Sequence, residues 1–152
     1  MIEIRKSKTA DSRTCDYSNV TKEDLAASSL QHIHDVELGI QFFIEKLEDA
    51  MIRHDFDKLS GISHFYNDFI TGFEKTGWWE NHKKINRHHL GTDGVVPDDV
   101  NLVDVLEMIV DCVMAGLGRS GSVYPLEIDP EVLMRAFKNT AKLLEDNVVV
   151  KD

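Results

Sequence analysis

The amino-acid sequence predicts an all-α protein of about five or six helices. Apolar residues recur at three- and four-residue steps over long stretches, which is the period of one helix face. Glycine-containing breaks and two turn-rich loops separate these stretches, at residues 91–99 and 119–125. A chain of 152 residues with 42% hydrophobic residues is long enough for one domain with its own core. We therefore expect an N-terminal extension, residues 1–20, and a single helical domain, residues 21–152.

The first helix is predicted to run from Thr21 to about Arg53. Thr21 is a good N-cap, and Asp24 stands at the position where an acidic side chain completes a capping box. His32 and Gly39 fall on the apolar stripe of this helix, so we expect His32 to be directed inward and Gly39 to allow close approach of another helix. The apolar stripe comprises Leu25, Ile33, Val36, Ile40, Phe43, Leu47 and Met51.

The rest of the chain is predicted to supply the remaining helices. Residues 57–90 read as one or two helices, with Gly61, Gly72 and Gly77 as the breaks. Residues 98–118 give the strongest helical pattern, with acids at its start and Gly118 at its end. The last helix begins at Asp129 as cap, followed by proline at the first helical position. A short strand is possible at residues 2–4, and "VVVKD" is expected to be an extended tail.

Charge and composition exclude several classes of function. A net charge of -10 argues against a partner such as duplex nucleic acid or an anionic membrane, because phosphates attract Lys and Arg. It does not exclude a small phosphorylated substrate held by a metal ion. Cys15 and Cys112 are far apart and form no CxxC motif, which suits the reducing cytoplasm. The N-terminus has no apolar segment typical of a secretion signal, and no apolar run is long enough to span a membrane.

Histidines and acids recur in an order that suggests a metal site. His54-Asp55 follows the first predicted helix, and His82 precedes His88 and His89 by six and seven residues, close to two helical turns. The alternative is a histidine-rich basic surface patch, although two tryptophans immediately before His82 favour partial burial. His34 lies on a different helix face from His32 and is the substitute candidate for a first ligand.

Asp111 is surrounded by apolar residues in "LEMIVDCVMAG". An unpaired carboxylate buried there would be costly, whereas pairing with a cation would stabilise it. Asp104, Glu107 and Asp111 are spaced i, i+3 and i+7, so they share one helix face; the alternative is a solvated acidic stripe. Imidazole and carboxylate ligands suit Mn, Fe, Co, Ni or Zn, whereas Mg needs a sphere of carboxylates and waters.

These motifs in this order resemble the HD-domain superfamily of metal-dependent phosphohydrolases. The segments that carry the resemblance are "HIHDV", "RHDFDK", "NHKKINRHHL" and "DDVNLVDVLEMIVDC", within residues 20–118. They are most similar to an HD-like branch common in bacteriophage genomes, which would place the protein in a host cytoplasm. The resemblance implies an HD-domain-like helical bundle with one or two divalent transition-metal ions. The ligands it implies are His32, His54, Asp55 and Asp111, with His82 and His88 or His89 for a second ion.

The resemblance also implies hydrolysis of a nucleotide or another small phosphoester. Asp55, Lys58 and Glu107 are the candidate catalytic residues, with Glu107 either orienting a ligand histidine or acting as general base. Phosphate-binding candidates are Lys58, Arg87, Arg119 and Arg13. Two other functions remain open: an HD-type di-iron oxygenase, and a non-enzymatic phage protein that binds a host factor. Surplus apolar residues on the helix at 98–118 would permit a homodimer.

Overall fold

A computed structural model describes residues 1–7 and 17–151, and this part of the chain is mostly helical. Its elements are β1 (Ile2–Arg5), α1 (Lys22–Arg53), α2 (Phe56–Ser60), α3 (Ile62–Phe69), α4 (Trp78–Ile85), α5 (Leu102–Ser120), α6 (Pro130–Glu145) and β2 (Val148–Lys151). The predicted all-α class is therefore confirmed, apart from two short strands. Within these residues, no helix is both long and apolar enough to cross a membrane.

The chain divides into two compact units. The first consists of Met1–Glu45 and Lys142–Asp152, and the second of Lys46–Ala141. In the first unit, β1 and β2 form a parallel pair in which Ile2 lies opposite Val148. The strand expected at residues 2–4 and the extended C-terminal tail are both present. Their pairing was not foreseen, because short segments at opposite ends of a chain carry no mutual sequence signal.

The start of α1 confirms the predicted capping box. Thr21 Oγ1 accepts a hydrogen bond from the backbone N–H of Asp24 at 3.1 Å, and the Asp24 carboxylate accepts one from the backbone N–H of Thr21 at 3.4 Å. Further along the helix, the Leu144 side chain lies 3.7 Å from where a Cβ on Gly39 would stand. A helix therefore does approach α1 at this glycine, as expected.

The buried face of α1 is not the one that the apolar stripe predicted. Ile40 is 57% exposed and Met51 is 71% exposed, whereas Phe42 and Ala50 are buried. Phe42 is two residues from Ile40, which turns it to the opposite side of the helix. His32 shares the stripe and is likewise exposed, so the expectation that it points inward is wrong.

The second unit has its core around α5. Five buried side chains from the loop before α5, from α5 itself and from α6 form this core: Leu90, Val100, Val105, Met108 and Ala136. Asn101 caps α5 in a capping box with Asp104. The helix continues past Gly118 to Ser120 and ends at Gly121 in the left-handed conformation, so the predicted end is two residues too early.

Short helices fill the segment between α1 and α5. Gly61 separates α2 from α3, while Gly72 and Gly77 adopt positive φ on the path to α4, so all three predicted breaks are confirmed. The segment contains three helices rather than one or two. Asp68 is fully buried there, and its carboxylate accepts hydrogen bonds from the backbone N–H groups of Thr76 and Trp79. These bonds fix the start of α4, which carries His82.

Candidate metal centre

His54 and Asp55 occupy the junction between α1 and α2. The backbone of His54 continues the helical ladder to Ala50, whereas Asp55 adopts the left-handed conformation with φ 53° and ψ 23°. Asp tolerates this region better than most residues, but the conformation still costs energy and is typical of functional sites. The sharp turn places the two carboxylate oxygens of Asp55 beside different sets of histidines.

The first ligand group is defined as Asp55 Oδ1 with the Nε2 atoms of His82, His88 and His89. All four atoms are buried and have no hydrogen-bond partner among the described residues. Each of these residues offers a ligand atom within 4.8 Å of the others. His82 is fully buried and His88 is 2% exposed. Because buried polar atoms in proteins are almost always hydrogen-bonded, four such exceptions at one point form a set of donors that could hold a metal ion.

Distances within the first ligand group fit a shared ion. His82 Nε2 lies 3.3 Å from Asp55 Oδ1, and His88 Nε2 lies 3.7 Å from the same oxygen. Ligands held at about 2.1 Å from a tetrahedral ion are about 3.4 Å apart. These two distances are close to the spacing of ligands on one tetrahedral ion.

The second ligand group is defined as His54 Nε2, Asp55 Oδ2 and Asp111 Oδ1. The imidazole nitrogen lies 3.5 Å from the Asp55 oxygen and 3.7 Å from the Asp111 oxygen. The side chains of His54 and Asp111 are each 32% exposed, so this group is open to solvent where the first is closed. Asp55 belongs to both groups through different oxygens.

Carboxylates that accept hydrogen bonds from Nδ1 orient the histidine rings of both ligand groups. Asp57 accepts a hydrogen bond from His82 Nδ1 at 2.8 Å, and the Asn86 amide donates to the same carboxylate at 2.9 Å. Glu107 Oε1 accepts from His54 Nδ1 and from His88 Nδ1, both at 2.9 Å. A proton on Nδ1 leaves the Nε2 lone pair free for a metal, as is common for metal-bound histidines. Asp57 and Asn86 are both buried, and no sequence motif pointed to Asn86.

Glu107 makes the contacts expected of a residue that orients ligand histidines. Its carboxylate also forms a possible three-ligand set with His54 and His88, but hydrogen bonds already explain that proximity. Burial opposes ionisation of Glu107, yet the bonds from His88 and His54 outweigh it and lower the pKa of the carboxyl. An ionised acceptor that holds two imidazoles favours the orienting role over that of a general base.

Asp55 stays ionised despite its partial burial. Burial raises the pKa of its carboxyl, but the neighbouring His82 ring and the Lys58 ammonium outweigh it and hold the pKa well below its ordinary value. Lys58 donates a hydrogen bond to Asp55 Oδ2, the oxygen of the second ligand group. His89 behaves differently, because burial and the nearby rings of His88 and His82 lower its pKa to about 4. A neutral His89 is suited to be a ligand.

The two tryptophans of the chain lie against the first ligand group. The rings of Trp78 and Trp79 both stack on His82, with centroid distances of 4.8 and 5.1 Å. Trp79 also meets His89 edge-on at 5.4 Å. The predicted burial around the histidines is confirmed here. The contacts also make tryptophan fluorescence a direct probe of this group.

Gly94 supports His89 from the following loop. A Cβ at this position would lie 2.0 Å from the carbonyl oxygen of His89, so any side chain would push the two segments apart. The loop is also tied to α4, because Lys83 Nζ donates to the carbonyl of Asp93 at 3.0 Å. The His88-His89 pair is therefore held by backbone contact as well as by side chains.

Arg87 is bound to acids and not directed at the ligand groups. Its guanidinium donates to both carboxylate oxygens of Asp104, at 2.8 and 2.9 Å, and to Asp99 at 3.0 Å. Asp104 is 4% exposed, so it is part of the interior and not of a solvated acidic stripe. These contacts favour a role for Arg87 in anchoring the segment before His88, in place of the predicted phosphate binding.

The remaining predicted site residues lie elsewhere. His32 and His34 are exposed on the part of α1 that belongs to the first unit, and His32 as a metal ligand stays a prediction. Arg119 is exposed in the last turn of α5, eight residues beyond Asp111, or about 12 Å along the helix axis. Arg13 and Cys15 lie outside the described residues.

Comparison with known proteins adds no identification. No family model matches the chain, and no curated protein or solved structure has significant similarity to it. The centre is therefore interpreted from its own donors. Three imidazoles and one carboxylate in the first group, and one imidazole with two carboxylates in the second, suit divalent transition metals better than Mg.

Proposed function

We propose that this protein is a metal-dependent phosphohydrolase with two adjacent ion sites that share Asp55, within an HD-domain-like helical fold. The observation that carries the proposal is the convergence of four buried, unpartnered ligand atoms on one point. The order of the residues in the sequence supports it, because it resembles the HD-domain superfamily. The substrate class is a nucleotide or another small phosphoester.

The residues present fit divalent Mn, Fe, Co, Ni or Zn. His82, His88, His89 and Asp55 would hold one ion, and His54, Asp55 and Asp111 a second. Ions bound there would lower the pKa of a water ligand and neutralise charge on the phosphoryl group. The first group has four protein ligands, as in closed sites, whereas the second has three and leaves room for water or substrate.

Other residues of the chain bind or orient around these ligands. Asp57 and Glu107 accept hydrogen bonds from Nδ1 of His82 and His88, which orients the Nε2 atoms of these rings toward Asp55. Lys58 is a candidate to bind a phosphate at the second ligand group, because its ammonium already contacts Asp55. Its side chain is 26% exposed, which leaves it room to move toward a bound anion.

The test is metal analysis followed by a hydrolysis screen. Purified protein is expected to contain a transition metal, and with that metal to hydrolyse one or more nucleotide mono- or triphosphates or small phosphoesters. Asp111→Asn should abolish turnover, while Glu74→Ala, in an exposed loop between α3 and α4, should retain it. Protein that carries no metal, or hydrolysis unchanged by Asp111→Asn, would contradict the proposal.

Two further measurements distinguish the other candidate functions from hydrolysis. Histidine-rich ligand sets also suit iron, so an oxygenase would show iron-dependent O₂ consumption and no hydrolysis. A host-binding protein with a structural ion would keep its stable stoichiometric partner when His54 and Asp55 are both replaced by Ala. The hydrolase is expected to work without O₂ and to lose activity in that double variant.

A further inference from the structure

The two oxygens of Asp55 have different neighbours. Oδ1 faces the first ligand group and has no hydrogen-bond partner in the described part of the chain. Oδ2 accepts a hydrogen bond from the ammonium of Lys58, three residues further on in α2. The same oxygen lies 3.5 Å from His54 Nε2, so the ammonium and the second ligand group share one oxygen atom. One side of the carboxylate thus has a cation of its own, and the other does not.

From this asymmetry we propose that Lys58 is a built-in competitor for the second metal ion. The first group would hold its ion firmly, and the second would load only as Lys58 leaves Asp55 Oδ2. An ammonium within hydrogen-bond range of a ligand oxygen both blocks a lone pair and repels a divalent cation. The second ion would therefore be exchangeable, and its occupancy would follow the metal concentration.

The surroundings of Lys58 are those of a movable group. Its side chain is 26% exposed, and its contact with Asp55 spans the first turn of a five-residue helix. Movement of the Lys58 ammonium would not leave the Asp55 carboxylate without a cation, because an incoming metal ion would replace it. By contrast, Lys83 is buried and tied to the Asp93 carbonyl.

The inference rests on the metal centre of the proposed function but not on hydrolysis, and it is tested by binding alone. Metal-stripped protein is titrated with Mn²⁺ by calorimetry, with tryptophan fluorescence as a separate signal for the first group because Trp78 and Trp79 stack on His82. Wild type, Lys58→Met and Lys58→Arg are compared, with Lys84→Met as the control for loss of one exposed positive charge. Lys58→Gln is a second neutral variant in case the Met variant does not fold.

The expected result is two binding steps of unequal affinity in wild type. In Lys58→Met or Lys58→Gln, the second dissociation constant should fall at least about tenfold while the first changes less than about twofold. Lys58→Arg and Lys84→Met should behave as wild type. Two steps unchanged in the neutral variants would overturn the role of Lys58 and leave the metal centre intact. Absence of Mn²⁺ binding in every form would overturn both the centre and this inference.

Discussion

The two sides of Asp55 differ in burial, in ligand number and in charge. On one side, His82, His88 and His89 lie around Asp55 Oδ1, which has no hydrogen-bond partner among the described residues. His82 and His88 are at most 2% exposed. On the other, His54 and Asp111 are one-third exposed, and a lysine already neutralises the oxygen. A buried four-ligand group suits an ion that stays, whereas an exposed three-ligand group suits exchange and substrate contact. Asp55 can therefore belong to a buried ligand group and to an exposed one at the same time.

The largest effect is expected from Asp55→Asn, because this residue alone belongs to both ligand groups. Asn tolerates the left-handed backbone at this position, so the variant should fold. Loss of the negative charge should weaken binding of Mn²⁺ by at least about 100-fold at both sites. The measurement is Mn²⁺ titration by calorimetry.

The matched variant for Asp55→Asn is His54→Ala, which removes a ligand from the second group only. It should abolish the second binding step and leave the first in place. Retention of both steps in Asp55→Asn would break the bridging role.

Glu107→Gln removes a carboxylate that accepts hydrogen bonds from histidines of both ligand groups. Asp57→Asn removes one that accepts a hydrogen bond from a histidine of the first group only. Glu107 holds His54 and His88, whereas Asp57 holds His82 alone. Loss of such a carboxylate typically weakens metal binding by about 10- to 100-fold. Glu107→Gln should weaken both binding steps, and Asp57→Asn only the first. A reversed pattern in the calorimetric titration would contradict the assignment of groups.

Gly94→Ala tests the backbone support of His89. The new methyl group would meet the His89 carbonyl at 2.0 Å, so the loop must shift. The free energy of unfolding should fall by about 1–3 kcal/mol, and the first ion should bind about tenfold more weakly. Chemical denaturation and metal titration measure the two effects.

Gly118→Ala is the control, because a Cβ there meets no atom within 4 Å in the described residues. It should stabilise the exposed end of α5 by up to about 1 kcal/mol. Equal effects of the two variants would show that the contact at Gly94 has no special importance.

The smallest effect concerns pH. The pKa of His89 is lowered from 6.5 to about 4, chiefly by burial. Between these values the unfolded chain binds a proton that the folded chain does not, so the free energy of unfolding of metal-stripped protein should decrease as pH falls from about 6.5 to about 4. His89→Asn should reduce this slope, and the exposed control His34→Asn should not. Denaturation midpoints at several pH values are the measurement, and identical slopes in all three proteins would contradict the burial of His89.

Features of the fold are predictable from the sequence where residues close together in the chain determine them. The helix starts at Thr21 and Pro130 and the breaks at Gly61, Gly72 and Gly77 follow from caps and turn residues close in the chain. By contrast, α5 begins at Leu102 after its cap Asn101, later than the start predicted at residue 98. The expectation that His54 and Asp55 lie with His82 and with His88 or His89 comes from the resemblance of their order to the HD-domain superfamily. The structure does bring these residues together.

Other features depend on contacts between distant segments and had no local signal. The Asp57–Asn86 support of His82, the Arg87–Asp104 pair and the close fit of Gly94 against His89 are of this kind. The exposure of His32 also could not be inferred, since helical periodicity shows that one face is apolar but not which neighbour covers it.

Anomalous diffraction from a Mn²⁺-loaded crystal tests the central claim most directly. We predict two anomalous peaks flanking Asp55, one bordered by His82, His88 and His89 and the other by His54 and Asp111. The second peak should lose occupancy as the Mn²⁺ concentration is lowered, and the first should persist. No peak at Asp55, or a single ion that avoids the three buried histidines, would contradict the account.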